Sequence, residues 1–135
     1  MVKQILSYRP AAKIMKIEIK TSDEYYADTS HQVGIEICNE DYICCKLEPP
    51  SSEEYYFALD STDTFIEGEL SECEDFGLKR LTSVKVWMYD TNGWLGEYLK
   101  IYLDNQGQFN CLITQWLDDD PNYDQELSLE CTFQK

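Results

Sequence analysis

The sequence predicts an all-β protein, an antiparallel two-sheet β-sandwich of about eight strands stabilised by disulfides. Three observations carry that expectation. Short segments alternate apolar and polar residues with the period of two that a strand requires, and no segment reads convincingly as a helix. Aromatic residues reach 13%, including ten Tyr and three Trp, and such side chains pack well on a pleated surface. Six cysteines, an even number, stand among these segments. The 135 residues suffice for one domain with a real core, so bridges would reinforce the fold rather than replace its core.

Residues 1–11 form an extended lead, because Pro10 discourages a helix. The domain then occupies residues 12–135. Lys13–Lys20 alternates, with Met15, Ile17 and Ile19 on one face and Lys16, Glu18 and Lys20 on the other. Thr21–Gln32 is a polar loop. Val33–Cys38 is a second alternating strand, Asn39-Glu40-Asp41 a turn, and Tyr42–Leu47 the returning arm of a hairpin. Pro49-Pro50 ends that pattern, and Tyr55–Leu59 is a short edge strand. Thr64–Leu70 is the next main strand, centred on Phe65 and Ile66. Ser71–Lys79 is an acidic connection holding Cys73. In Leu81–Tyr89, Val84, Val86 and Met88 share one face while Lys85, Trp87 and Tyr89 share the other. After the loop Asp90–Gly96, Tyr98–Leu103 and Gln108–Thr114 form a hairpin around Asp104-Asn105-Gln106-Gly107. Trp116–Asp124 is a loop, and Leu127–Phe133 is the closing strand.

The formal net charge is −15, unevenly spread. Residues 1–20 hold five basic side chains against Glu18 alone, whereas the rest hold six basic and 25 acidic ones. An acidic surface of this kind repels phosphates, which argues against a nucleic-acid partner. It suits solubility first, and beyond that calcium or a basic partner. No apolar run approaches the length of a membrane-spanning helix, and the first residues lack the apolar run of a signal peptide. Bridged cysteines belong to an oxidising compartment, so a secreted protein is expected, with Met1 read as added to a mature chain. Cys44 and Cys45 point to opposite faces of one strand, so at most one lies in the core. A bridge from Cys38 to Cys44 or Cys45 across the hairpin is the preferred pair. The pairing among the other cysteines stays open, as does the alternative of six reduced core thiols. Zinc is disfavoured, since His31 is the only histidine and no C-x-x-C pair occurs.

From about residue 12 onward, the order of features resembles the PLAT family (polycystin–lipoxygenase–alpha-toxin). The residues that carry the resemblance are Ala27-Asp28-Thr29-Ser30-His31-Gln32-Val33, then Asp75-Phe76-Gly77 before Leu81–Tyr89 and Asp90-Thr91-Asn92-Gly93 after it. Cys111-Leu112-Ile113-Thr114-Gln115-Trp116-Leu117-Asp118 is the strongest single piece. The first loop departs from the family pattern at Asp28 and Ser30, and either Trp94 or Tyr98 fills the family's Trp position. The resemblance implies a β-sandwich that binds lipid surfaces or protein partners. It also implies a calcium site built from Asp28, Thr29, Ser30 and Asp90, with Asp23 and Asn92 nearby. Ca²⁺ takes six to eight hard oxygen ligands, which such loops can offer. The plainer reading is that Asp28 and Asp90 are turn residues bonding their own backbone.

No enzyme signature is present: there is no G-x-S-x-G elbow, no phosphate-binding glycine loop and no H-E-x-x-H. The expectation is a non-catalytic secreted binding module for lipid or protein. Gly93-Trp94-Leu95-Gly96 is its candidate insertion tip, unless Trp94 folds back over the core. Trp87 and Tyr89 are a candidate surface patch, unless they too are covered. The alternative is a secreted effector or toxin-like protein acting on a protein partner without lipid, using Lys16 and Lys20 as a small basic contact site.

Overall fold

The structure is a computed structural model. It describes residues 12–24, 27, 33–47, 60–66, 77–78, 81–88, 93–104, 107–117 and 126–134. Among these are ten strands and no helix: β1 (Ala12–Thr21), β2 (Val33–Asn39), β3 (Cys44–Leu47), β4 (Thr62–Ile66), β5 (Gly77–Leu78), β6 (Leu81–Met88), β7 (Gly96–Leu103), β8 (Gln108–Leu112), β9 (Glu126–Ser128) and β10 (Glu130–Gln134). They form two antiparallel sheets. The first has the order β10-β8-β7-β1-β4, with β5 also paired to β1, and the second has the order β3-β2-β6-β9. The all-β sandwich is therefore as predicted, with two more strands than expected.

The core lies between the inner faces of the two sheets. Ile17, Ile19, Phe65, Leu99, Ile101 and Phe109 come from the first sheet, and Val33, Ile35, Ile37, Val84, Val86 and Leu127 from the second. Ile17, Ile19, Ile35, Ile37, Leu99 and Ile101 are completely buried, each contributing about 1.5–3 kcal/mol relative to an exposed side chain.

Four expectations need correction. Met15 does not join Ile17 and Ile19: it is exposed, and Ile14 is buried instead. A register shift between Ile14 and Lys16 marks a bulge in β1 against β7, and one extra residue reverses the alternation. Tyr42 and Ile43 belong to the hairpin turn rather than to the strand, which starts at Cys44. Gly77–Leu78, read as connection, pairs with Lys13 and Ala12 as a short strand. The closing segment is two strands, one in each sheet: β9 pairs with β6 and β10 with β8. Leu129 is the crossing point, and its N–H donates to the Val84 carbonyl at 2.8 Å. Tyr55–Leu59 and residues 67–70 lie outside the described residues, as does the lead 1–11.

Two disulfides are described, Cys38–Cys44 and Cys111–Cys131. Each joins residues that face each other directly in neighbouring strands, with Cα atoms 4.0 Å and 4.1 Å apart. Cys45 is also disulfide-bonded and is buried, while Cys44 on the opposite face is exposed. The hairpin bridge expected from Cys38 thus falls on Cys44, and among the described residues no cysteine is free.

Candidate functional site

The positions expected to hold calcium, Asp28, Thr29, Ser30 and Asp90, lie outside the described residues, as do Asn92 and Tyr89. Asp23 is described and exposed. The strand ends that flank these segments are brought together, because Val33 at the start of β2 is the register partner of Met88 at the end of β6. Among the described residues one group of potential ligands is in contact: Glu36, Cys38 and Cys44 place their ligand atoms within 4.8 Å of one another. Both sulfurs are bridged, so neither offers the thiolate that a metal requires, and sulfur is in any case a poor ligand for calcium.

Trp94 is a core residue, not a surface tip. Its side chain is completely buried, its indole N–H donates to Thr21 Oγ1 at 3.0 Å, and its backbone pairs with Leu117. Thr21 is buried in turn. Room for the ring exists because residue 96 is glycine: a Cβ there would lie 2.3 Å from Trp94 Cη2 and 2.6 Å from Ile113 Cδ1. Leu95 is half-buried, and its backbone is tied at both ends, with Leu95 N–H donating to the Ala27 carbonyl at 3.1 Å and Ser22 N–H to the Leu95 carbonyl at 3.0 Å. Trp87 is also buried rather than part of an open patch. It lies against Gly34, its register partner, where a Cβ would stand 2.1 Å from Trp87 Cε2.

Lys16 and Lys20 share the outer face of the first sheet, but both charges are engaged. Lys16 pairs with Glu18 at 3.4 Å and sits 4.2 Å from the centre of the Tyr102 ring. Lys20 contacts Asp60 at 3.2 Å and Glu97 at 3.3 Å. The hydrogen bonds to Asp60 and Glu97 raise its pKa above the ordinary value. Burial, and then the hydrogen bond it donates to Glu18 at 3.1 Å, raise the pKa of Tyr102. These contacts neutralise the basic site on which an effector reading would rely.

Two adjacent exposed apolar side chains lie elsewhere, at the β2–β3 turn. Tyr42 is 81% exposed and Ile43 59% exposed. Tyr42 has a left-handed backbone, φ 59°, which is unfavourable for a bulky side chain. The turn is nonetheless held from several sides. Asn39 is buried, and its Oδ1 accepts from Asp41 N–H at 2.9 Å and Ile43 N–H at 3.1 Å. Tyr42 N–H donates to the Asn39 carbonyl at 3.0 Å, and Asn39 N–H to that of Ile43 at 2.9 Å. The Thr82 hydroxyl contacts the Asn39 and Cys38 carbonyls at 2.7 and 3.1 Å, and the Cys38–Cys44 disulfide closes the base. Reading the sequence as strand from Tyr42 hid this tip. The signal available was Asn39-Glu40-Asp41, whose Asn and Asp favour a side-chain-bonded turn.

A concavity of about 780 Å³ lies beside the sheet crossing. Leu112, Leu127 and Leu129 line it together with Asn110, Glu126 and Glu130. Glu126 is bound to Lys85 at 2.9 Å, which raises the pKa of that lysine through the hydrogen bond.

These features define the fold as a PLAT-like β-sandwich. No family model matches the sequence, and no curated protein matches it. Solved structures do. A lipoxygenase (LOX) superposes with a TM-score of 0.64 at 16% identity, over 88% of this chain and 16% of the lipoxygenase. The alpha toxin of Clostridium absonum gives 0.66 at 13% identity, over 94% of this chain and 34% of the toxin. The alpha toxin of Clostridium perfringens, from an avian strain, gives 0.51 at 11% identity, over 93% of this chain and 32% of the toxin. The matches fall on the PLAT domain region of the lipoxygenase and the C-terminal domain of the Clostridium absonum toxin. The chain therefore spans about a sixth to a third of these proteins, and the likeness is one of fold.

Proposed function

We propose that this chain is a non-catalytic, secreted module that binds lipid surfaces, with calcium assisting at the segments containing Asp28, Thr29, Ser30 and Asp90. The observation that carries this reading is the recurrence of its sandwich in a lipoxygenase, one structure of which holds arachidonate, and in two clostridial alpha toxins. The disulfides fit an oxidising compartment. Among the described residues no helix is long and apolar enough to cross a membrane. The net charge of −15 opposes direct docking to anionic lipid, and bound calcium would offset part of it. The register pair Val33–Met88 supports a shared calcium site, since the two acidic segments adjoin those strand ends.

Sedimentation with phosphatidylcholine vesicles, with and without phosphatidylserine, tests the reading. Calcium is expected to raise binding to the serine-containing vesicles, and Asp90→Asn is expected to abolish that increase. Binding that ignores both calcium and Asp90→Asn removes the calcium site. Absence of binding to every vesicle, with or without calcium, removes the lipid function.

A further inference from the structure

We propose that the β2–β3 turn is a second lipid-contact site, in which Tyr42 and Ile43 enter a zwitterionic surface of no net charge without calcium. The proposal rests on the lipid-binding reading but uses a different part of the fold. The tip stands at the far end of β2 from Val33, six residues or about 20 Å along the strand.

Three observations lead to it. First, Tyr42 and Ile43 are among the most exposed large apolar side chains of the described residues, and they are adjacent. Second, Tyr42 occupies a left-handed backbone position that glycine would fill without strain, although its ring buries little in this chain. Third, the turn around it is held by the bonds of Asn39 and Thr82 and by the Cys38–Cys44 bridge. A turn fixed in this way presents both side chains outward at little further ordering cost on binding.

Shape and charge select the occupant. A two-residue convex point is small beside the roughly 800 Å² per partner of a stable protein interface. A lipid surface accepts such a point, and tyrosine suits the boundary between apolar and polar layers. Asp41 is exposed beside the tip and the chain is strongly acidic, so a zwitterionic surface is favoured over an anionic one.

The test is sedimentation with phosphatidylcholine vesicles in the presence of a calcium chelator. Wild-type protein is expected to bind, and the double substitution Tyr42→Ser with Ile43→Ser to weaken binding by about tenfold or more. Tyr42→Gly separates this role from a structural one: it is expected to raise the melting temperature while lowering vesicle binding. Binding that the double substitution leaves unchanged overturns the tip and keeps the lipid function. Binding seen only with calcium and phosphatidylserine does the same. Absence of binding to any vesicle overturns both and points the tip toward a protein partner.

Discussion

Two connections each carry an aromatic residue between strands, and they treat it in opposite ways. The segment before β7 buries Trp94 completely, whereas the β2–β3 turn leaves Tyr42 81% exposed. Trp94 has a glycine at residue 96 to make room and a buried hydroxyl at Thr21 to satisfy its N–H. Tyr42 has neither, and its turn is closed by its own hydrogen bonds and a disulfide. The difference shows that an aromatic between turn residues is not a surface tip by composition. Its fate depends on the space and polar partners that the rest of the fold supplies.

The largest expected effect tests the buried side of this contrast. Trp94→Ala should cost about 4 kcal/mol in chemical denaturation, because it opens a cavity and strands the Thr21 hydroxyl. A cost below about 1 kcal/mol would mean that Trp94 is not held in the core.

The two bridges come next. Serine at both Cys111 and Cys131 should cost about 3 kcal/mol, and serine at both Cys38 and Cys44 about 2 kcal/mol, because their sequence separations are 20 and 6. The reverse order, measured the same way, would show that the hairpin bridge acts on native geometry rather than through loop entropy.

Gly96→Ala should cost about 2 kcal/mol, since the new methyl meets Trp94 and Ile113. A neutral result would show that the ring has room to move. At the exposed tip the sign should invert, with Tyr42→Gly stabilising the protein by about 1 kcal/mol through relief of the left-handed backbone. A loss of stability there would show that Tyr42 packs against the fold.

The smallest effect is electrostatic. Lys20 has a pKa raised above 10.5, first by its hydrogen bond to Asp60 and then by that to Glu97. A raised pKa means that the contribution is complete below 10.5 and is lost as pH climbs through the higher folded value. Lys20→Met should therefore flatten the alkaline end of the stability–pH curve slightly, as for any exposed pair. An unchanged curve would show that Lys20 contributes nothing measurable.

Much of the fold was legible because alternation reports burial wherever one strand face meets the core. Ile17 and Ile19, Ile35 and Ile37, and Val84 and Val86 all sit where alternation put them. The Cys38 bridge was legible because a short hairpin leaves few partners. Met15, Tyr42 and the break at Leu129 are places where the chain departs from regular pairing, through a bulge, a left-handed residue and a change of sheet. The bulge and the change of sheet depend on neighbours distant in sequence, so a local pattern carries no sign of them, whereas the turn at Tyr42 is closed locally by Asn39.

By itself, the sequence determined the class of fold, the spacing of the main strands, most of the core and the acidic character of the surface. These follow from residue type and period, which act locally. The tertiary structure alone decided that Trp87 and Trp94 are covered, that Lys16 and Lys20 are neutralised, and that Tyr42 and Ile43 project. Exposure and pairing are properties of what two distant segments do to each other, and Gly34 against Trp87 or Thr21 against Trp94 exists only once the sheets have closed.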